Sequence, residues 1–533
     1  MSQEVLVLER VIIIGGGATG AGIARDLALR GLNVILLERG DLASGATGRC
    51  HALLHSGGRY VVKDPESARE CASENEILRR IAPHIIEDTG GLFVSLPHDP
   101  DDYPDKFAEC AKRIGVKLRE LDVSDAYSIE PMLRKGIKRA FWVNDAVIDP
   151  FRLVILNVLD AVRHGAEVRT YTEVIGFLRE GNHVIGVKVY DKIHGQTYVI
   201  KADFTVIAAG AWSGILAEKA GAKVPVTADK GTLLVIPYRI FNTVINRLRP
   251  PSDGDIIVPH QLANIIGTTS IPVNDPDMAF PSRDEVARMM NAAVELSPAF
   301  ASVRVIRAYA GCRPLAGEGA HGREASRTFT IIDHEKEGEI WSLMTIVGGK
   351  LTTYRLMAER LSEMLISKLG IRSPCATHKE PLPGADGINV EELIKKYKVP
   401  SLVARNIMRR WGSLAIDIVN SARAPLDYAV TCACELISRA EVRYAVRNFF
   451  VRKPVDLIRR VGVCMGPCQG LSCILPLLSE YVKEKPDIDV LDELRELVKE
   501  RWKGSAPVLK AAQLKQWLLT YTLFYSAFRR RTE

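Results

Sequence analysis

Two groups of residues in this chain have the types and spacing for redox chemistry. The first is a glycine turn: in "VIIIGGGATGAG", Gly15, Gly17 and Gly20 form Gly-x-Gly-x-x-Gly. Gly15 permits a tight turn, Gly17 lets a pyrophosphate approach the backbone, and Gly20 lets the following helix lie close to the sheet. The second is a set of thiols. Cys432 and Cys434 stand one residue apart, and "CMGPCQGLSC" places Cys464, Cys468 and Cys473 within ten positions about thirty residues later. Thiolates grouped in this way hold either zinc or an iron–sulfur cluster, since both favour tetrahedral sulfur.

The glycines work only between a strand and a helix, and both are present. Val11 to Ile14 is an apolar run, as in a parallel strand buried on both faces. The stretch "AGIARDLALR" reads as a helix whose N-terminus faces phosphate. "NVILLE" is a second strand ending in Glu38, where a carboxylate accepts from a ribose 2′-OH. An acid at that place suits FAD or NAD and not NADP. "ADFTVIAAGAWS" (202–213) reads as a strand entering a small-residue turn. "IWSLMTIVGGKLTTYRLMAERLSEML" (340–365) reads as a strand, a Gly348-Gly349 turn and a helix beginning near Leu351. A helix N-terminus beside Lys350 stabilises the negative charge that collects on a flavin N1–C2=O edge, which favours FAD.

The remaining composition excludes several classes. The chain has 533 residues, 47% hydrophobic and 25% charged, which suits a globular protein of several domains. The net charge of +7 is spread among acidic residues, with no basic stripe for nucleic acid. No apolar run has the length of a membrane span, and the N-terminus lacks a secretion signal, so the ten cysteines are expected as thiols or metal ligands.

From "GGGATGAGIARDLALRGLNVILLERGDLASGATGRCHALLHSGGRY" onward, the chain resembles the FAD-dependent glycerol-3-phosphate dehydrogenases. It is most similar to the catalytic chain of their anaerobic, three-subunit form. "YAGCRPLAGEG", "SRTFTIIDH" and "IVGGKLTTYR" match later family blocks in the same order. The resemblance implies oxidation of sn-glycerol 3-phosphate to dihydroxyacetone phosphate, with hydride passing from substrate C2 to flavin N5. It assigns Arg59, Tyr60, Arg313, Arg327 and Lys350 to the substrate. It assigns Gly15, Gly17, Gly20, Glu38, Thr47, His55, Gly210, Gly349 and Lys350 to FAD, and Lys350, Arg313 and His55 to catalysis. Two positions depart from the family: Cys50 stands where Asn or Ser is expected, and Leu233 where aerobic relatives carry a histidine. The proton acceptor is therefore left open between Lys350, His260 and water.

The cysteine region resembles the small [2Fe–2S] domain of bacterioferritin-associated ferredoxins, which implies Cys432, Cys434, Cys468 and Cys473 as ligands. Zinc is the structural alternative, and Cys464 is either a bystander or a substitute ligand. The expected fold is α/β: a Rossmann-like FAD-binding domain of the glutathione-reductase and D-amino-acid-oxidase type with an antiparallel-sheet substrate domain. A helical C-terminal region follows, containing a small iron–sulfur domain. Residues 1–375 form the oxidoreductase part, its substrate sheet drawn from about 85–150 and 225–330. Residues 376–425, beginning in the Pro/Gly-rich "EPLPGADG", are a linker and helical segment. Residues 426–480 carry the cluster and 481–533 form a helical tail. "QWLLTYTLFYSAFRRR" (516–531) either lies on a membrane surface or partner, or packs as a terminal helix on its own domain. The expected acceptor is a partner subunit leading to quinone, and the expected location is cytoplasmic, with the inner face of the cell membrane reached through partner subunits and peripheral membrane association left open. Two other functions stay open: an FAD enzyme for another hydroxy acid or amine, and a non-catalytic flavin and iron–sulfur relay.

Overall fold

Short apolar runs become the parallel strands at the centre of the molecule. The computed structural model describes residues 9–317, 322 and 326–526. Its six-stranded sheet runs in the order Phe329–Asp333, Leu343–Gly348, Phe204–Ile207, Arg10–Ile14, Asn33–Leu37 and Glu167–Arg169. All neighbours are parallel except the first pair. Helix Ala18–Leu29 makes the crossover from Arg10–Ile14 to Asn33–Leu37, the connection a parallel pair requires. It is buried along nearly its whole length because helices Pro150–Arg163 and Tyr354–Lys368 pack on it.

The second layer is a nine-stranded, largely antiparallel sheet. Its long strand Val226–Ile236 pairs with Arg307–Ala316 over ten residues, from Val226↔Ala316 to Val235↔Arg307. Strands Gly91–Ser95, Leu118–Leu121 and Arg139–Val143 complete the far edge, where Gly91–Ser95 runs parallel to Val244–Arg247. These strands come from the two stretches expected for the substrate sheet. A three-stranded meander, Thr172–Glu180, His183–Asp191 and Gln196–Lys201, has no counterpart in that expectation.

The C-terminal third is helical, as expected, and does not hang on a free linker. Leu382, Leu393, Val403 and Ile407 share one apolar cluster with Val11, Leu36 and Leu361 of the nucleotide half and with Val446 and Leu477 of the cysteine region. Trp411 is fully buried and stacks on Phe449, with ring centroids 4.5 Å apart. A buried ion cluster adds a second tie. Asp41, three residues past Glu38, is 2% exposed and accepts from Arg459 Nε at 2.6 Å and from Arg460. Both arginines lie on helix Asp456–Val461, which leads directly into the cysteine loop. Helix Ala511–Ser526 packs one side against the preceding helix through Trp517, 4.2 Å from Trp502 between ring centroids. Leu518, Leu519 and Leu523 on the same helix are exposed. Residues 527–533, with the terminal arginines, lie outside the described residues. Among the described residues no helix is long and apolar enough to cross a membrane.

Removing the Asp41 carboxylate takes the paired carboxylate from the buried Arg460 guanidinium and from the partly buried Arg459 beside it, which costs about 3–5 kcal/mol. Asp41→Ala is expected to lower the denaturation midpoint of the C-terminal region, followed by tryptophan fluorescence through Trp411. An unchanged midpoint would refute the anchoring role.

Candidate active site

The two layers enclose a cavity of about 760 Å³ between the glycine turn and the nine-stranded sheet. At one end Gly15 has φ +118°, and a Cβ there would meet the Ala208 carbonyl oxygen at 2.5 Å. Gly17 opens onto the cavity, bordered by Thr47. The Thr47 hydroxyl accepts from the Ala18 N–H at 3.0 Å, so the first helical turn is tied to the opposite wall. Glu38 accepts from Gly16 N–H at 2.7 Å and Gly40 N–H at 2.8 Å, which fixes its carboxylate at the wall although burial raises its pKa. Gly210 and Gly349 also line the cavity, both with positive φ. Gly20 does not reach it. Its Cβ position lies 1.9 Å from the Gly15 carbonyl oxygen, so only glycine lets the helix pack this closely.

The chain after Gly348-Gly349 corrects a second expectation. The helix begins at Tyr354, not near Leu351. Two successive glycines with positive φ leave the backbone outside the helical region, and Lys350 to Thr353 form a turn to recover it. Thr353 Oγ1 accepts the Lys350 N–H at 3.2 Å within that turn.

At the other end, "HSGGRY" is bent so that its side chains face inward. Ser56 donates from both N–H and hydroxyl to Asp145 Oδ1 at 2.7 Å. Gly57, at φ +97°, passes where a Cβ would strike the Ala68 carbonyl oxygen at 2.4 Å. This brings His55, Arg59 and Tyr60 to the cavity wall beside Arg313, Arg327 and Lys350. Each cation is held differently. Arg59 pairs with Asp255 at 3.0 Å. Arg313 pairs with its cross-strand neighbour Asp229 at 2.5 Å and donates to Thr268 and to the Thr269 carbonyl. Among the described residues the Arg327 guanidinium meets only the Gly322 carbonyl, at 3.2 Å. Lys350 Nζ donates to Ser67 Oγ at 2.8 Å and the Arg327 carbonyl at 2.7 Å, and it lies 5.0 Å from the Tyr60 ring centre. Among the described residues, then, two of these four cations lack a paired carboxylate, and Asp64, which accepts from the Arg327 N–H at 2.9 Å, lines the same cavity.

The charge balance sets the titrations. Burial lowers the Lys350 pKa. Burial and then Arg327 lower that of Arg313. Burial, His51, Lys350 and Arg59 together push His55 well below the usual histidine range. Its Nε2 stands 3.5 Å from the Tyr60 hydroxyl. His260, a candidate proton acceptor from the sequence, ends strand Ile256–His260 and is not on the cavity wall. His51 is on it and was not anticipated, although His-x-x-x-His in "CHALLH" was its visible signal. Its ring centre is 5.8 Å from that of His55, and its Nδ1 accepts the Leu53 N–H at 3.3 Å. Cys50, the other family departure, is a half-buried thiol on the cavity wall, and desolvation raises its pKa to about 11.

The five C-terminal cysteines converge. Cys473 lies at the centre, 3.5 Å from Cys464 between sulfurs and in thiol contact with Cys432 and Cys468, while Cys434 contacts Cys468. Hydrogen bonding with Cys473 pulls the Cys432 and Cys468 thiols down. Gly466 and Gly470 make room for the sulfurs, since a Cβ would come within 3.2 Å of the Cys434 and 3.1 Å of the Cys464 sulfur. A second trio, Glu359, Cys375 and His378, also lies close, but Glu359 is paired with Arg355 and the Cys375 thiol donates to Asp26.

Residues 10–364 match the FAD dependent oxidoreductase family, and residues 375–484 match the C-terminal domain of alpha-glycerophosphate oxidase. The chain is 41% identical to the A1 subunit of the anaerobic glycerol-3-phosphate dehydrogenase of Haloferax volcanii, covering 98% of this chain and 90% of that one. Identity to the A-type subunit of the Escherichia coli anaerobic glycerol-3-phosphate dehydrogenase is also 41%, covering 95% of each. Among solved structures, the glycerol-3-phosphate dehydrogenase from Bacillus halodurans complexed with FAD aligns with a TM-score of 0.73 at 25% identity. That alignment covers 95% of this chain and 97% of the other. L-proline dehydrogenase from P. horikoshii, at 23% identity and a TM-score of 0.57 over 68% of this chain and 94% of its own, shares the fold.

His51 supplies a pH test of this geometry. Burial, then Arg313 and Arg59, lower its pKa to about 3, against about 6.5 in an unfolded chain. Between those values only the unfolded chain binds the proton, so stability is complete above about pH 6.5 and falls as pH drops toward about 3. The thermal midpoint of the native chain is expected to fall more steeply below about pH 6.5 than that of His51→Gln. Parallel curves would contradict the buried, neutral imidazole.

Proposed function

The chain belongs to the FAD-dependent oxidoreductase family, in its glycerol-3-phosphate dehydrogenase branch, and we propose that it oxidises sn-glycerol 3-phosphate to dihydroxyacetone phosphate. The observation that carries this reading is the surplus of fixed cations at the inner end of the cavity. Arg59, Arg313, Arg327 and Lys350 face one space, and among the described residues only the first two have carboxylate partners. A phosphate monoester carries nearly two negative charges at neutral pH, and planar guanidinium groups bind its oxygens in pairs. A neutral or monoanionic hydroxy acid or amine leaves part of that charge uncompensated.

The residues at the other end fit FAD. Gly15 and Gly17 clear the backbone for a pyrophosphate, the helix from Ala18 directs N–H groups at it, and Glu38 waits for a ribose. Gly210, Gly349 and Thr47 would line the cofactor's path. When bound, FAD supplies the acceptor for a hydride from substrate C2. Around the substrate, Arg59, Arg313 and Arg327 hold the phosphate, and Arg313 is aimed by Asp229. Lys350 and Tyr60 orient the remaining hydroxyls. The hydroxyl proton is assigned to His55 Nε2, which its surroundings keep unprotonated. A bound phosphate offsets the charges of Arg59 and Lys350, so substrate itself makes His55 more basic.

The same proposal places a [2Fe–2S] centre on Cys432, Cys434, Cys468 and Cys473. The support is chemical: five free thiols brought together from two separate loops, with a glycine cradle beside them. Cys464 is the thiol left over. Electrons would then leave through this centre to a partner subunit, then to quinone, in keeping with relatives that are named as subunits. Zinc at the same sulfurs is the second reading, since four thiolates suit it equally.

Anaerobic addition of sn-glycerol 3-phosphate to the purified holoprotein should bleach the flavin absorbance, with glycerol inert. A flavin that stays oxidised, yet bleaches with dithionite, would remove the substrate assignment. Arg313→Gln deletes charged hydrogen bonds worth about 1.5–3 kcal/mol, which lowers kcat/KM by roughly 10- to 150-fold. A wild-type value would favour a substrate without phosphate. Metal analysis separates the cysteines: serine at any of the four proposed ligands should abolish iron binding, whereas Cys464→Ala should retain it. Zinc without iron in anaerobically purified protein would select the second reading.

A further inference from the structure

Behind Lys350 stands a short chain of hydrogen bonds that starts at a helix cap. Asp64 is the N-cap of helix Pro65–Ile81, and its Oδ1 accepts the Ser67 N–H at 3.1 Å. Its Oδ2 has other donors: the Ser67 hydroxyl at 2.8 Å, the Ser326 hydroxyl at 3.1 Å and the Arg327 N–H at 2.9 Å. Ser67 is fully buried, and its one hydroxyl proton is committed to Asp64. The Ser67 oxygen can then only accept, and it does so from Lys350 Nζ at 2.8 Å. A second Lys350 N–H goes to the Arg327 carbonyl at 2.7 Å. One carboxylate therefore fixes both acceptors of the ammonium, Ser67 through its hydroxyl and Arg327 through its N–H. Capping uses only Oδ1 and the Ser67 backbone, so the Oδ2 arm of this network is surplus to the helix.

An ammonium has three N–H donors, and two are occupied here. The third remains for the cavity that Lys350 lines, and Tyr60, with its ring centre 5.0 Å from Nζ, lines the same cavity. We infer that Ser67 and Asp64 are positioning residues for Lys350: they hold it so that one N–H meets the substrate C2 oxygen, as a donor and not as the proton acceptor. This inference rests on the glycerol 3-phosphate reading of the site. As the C2–H bond breaks, the hydrogen leaves with its electron pair to the cofactor, and the hydroxyl proton passes to His55 Nε2. The electron pair of the broken O–H bond stays on the oxygen and becomes the second C–O bond. Where proton departure runs ahead of hydride departure, negative charge builds on that oxygen, and an N–H already aimed at it lowers the barrier without reorganisation. The phosphate grip belongs to Arg59, Arg313 and Arg327, so loss of the Ser67 hydroxyl acts on rate and not on affinity.

The test is anaerobic stopped-flow reduction of the full-length holoprotein by sn-glycerol 3-phosphate, read at the flavin band. Ser67→Ala keeps the backbone N–H that Asp64 caps and removes only the hydroxyl. It should slow flavin reduction at saturating substrate roughly tenfold, with the apparent Kd within about twofold of native. Ser67→Thr restores a hydroxyl and should recover most of the rate. Calorimetric titration with inorganic phosphate is a readout apart from turnover, and native protein and Ser67→Ala should bind it alike. A native rate in Ser67→Ala overturns the inference, as does a slow rate accompanied by equally weakened phosphate binding. If Ser67→Ala fails to fold or to hold FAD, Asp64→Asn decides, because asparagine still caps the helix but presents an amide in place of Oδ2. A native rate there overturns the inference, and a slowed rate with native phosphate binding supports it. Native protein that glycerol 3-phosphate does not reduce would instead remove the substrate reading, and the inference with it.

Discussion

A single buried carboxylate holds the nucleotide-binding half and the cysteine region in one body. Asp41 follows Glu38 by three residues and pairs with Arg459 and Arg460 from the helix that opens the cysteine loop. An ion cluster of this kind adds little net stability over apolar packing, but it tolerates no alternative arrangement, because each partner left alone is a buried charge. The nucleotide-binding end therefore fixes where the thiols stand. Apolar contacts around Trp411 and Phe449 supply the area that makes the junction firm.

The elements that position the cofactor site were legible because their signals are local. A glycine turn between an apolar strand and a helix needs only about thirty residues to identify itself, and Glu38 follows from the same stretch. The cysteine spacing is equally local. What could not be read is whatever depends on residues far apart. Asp229, Asp255 and Asp145 orient Arg313, Arg59 and the His55 turn, yet each is an ordinary acid in the sequence. Their roles exist only after strands distant in the chain have paired.

Other features outside the sequence expectation nonetheless carry local signals. The meander at 172–201 is announced by alternating residues on either side of Gly181-Asn182, a two-residue hairpin turn with Gly181 at φ +59°. His51 lay in plain view four residues before His55. The packing role of Gly20 is legible in the glycine pattern too, since its spatial neighbour, the Gly15 carbonyl, lies within it. The helix starts at Tyr354, later than its apolar pattern suggests, because two consecutive left-handed glycines delay helical geometry by a turn.

Strand Arg307–Ala316 ties the two ends of the molecule in another way. Its alternate residues face the same side. Arg307 touches Gln469 of the cysteine loop, the Tyr309 hydroxyl donates to the Cys50 carbonyl at 3.0 Å, Gly311 passes against the backbone of Arg49, and Arg313 enters the substrate end. Ten residues of continuous pairing with Val226–Ile236 fix this register. The consequence concerns modularity. The C-terminal region cannot be treated as a cassette to be exchanged between flavoproteins, because part of its docking site is a strand of the substrate sheet. An inserted or deleted residue anywhere along that strand would disturb substrate recognition and cysteine-loop contact together, so lineages are expected to change its side chains and keep its length.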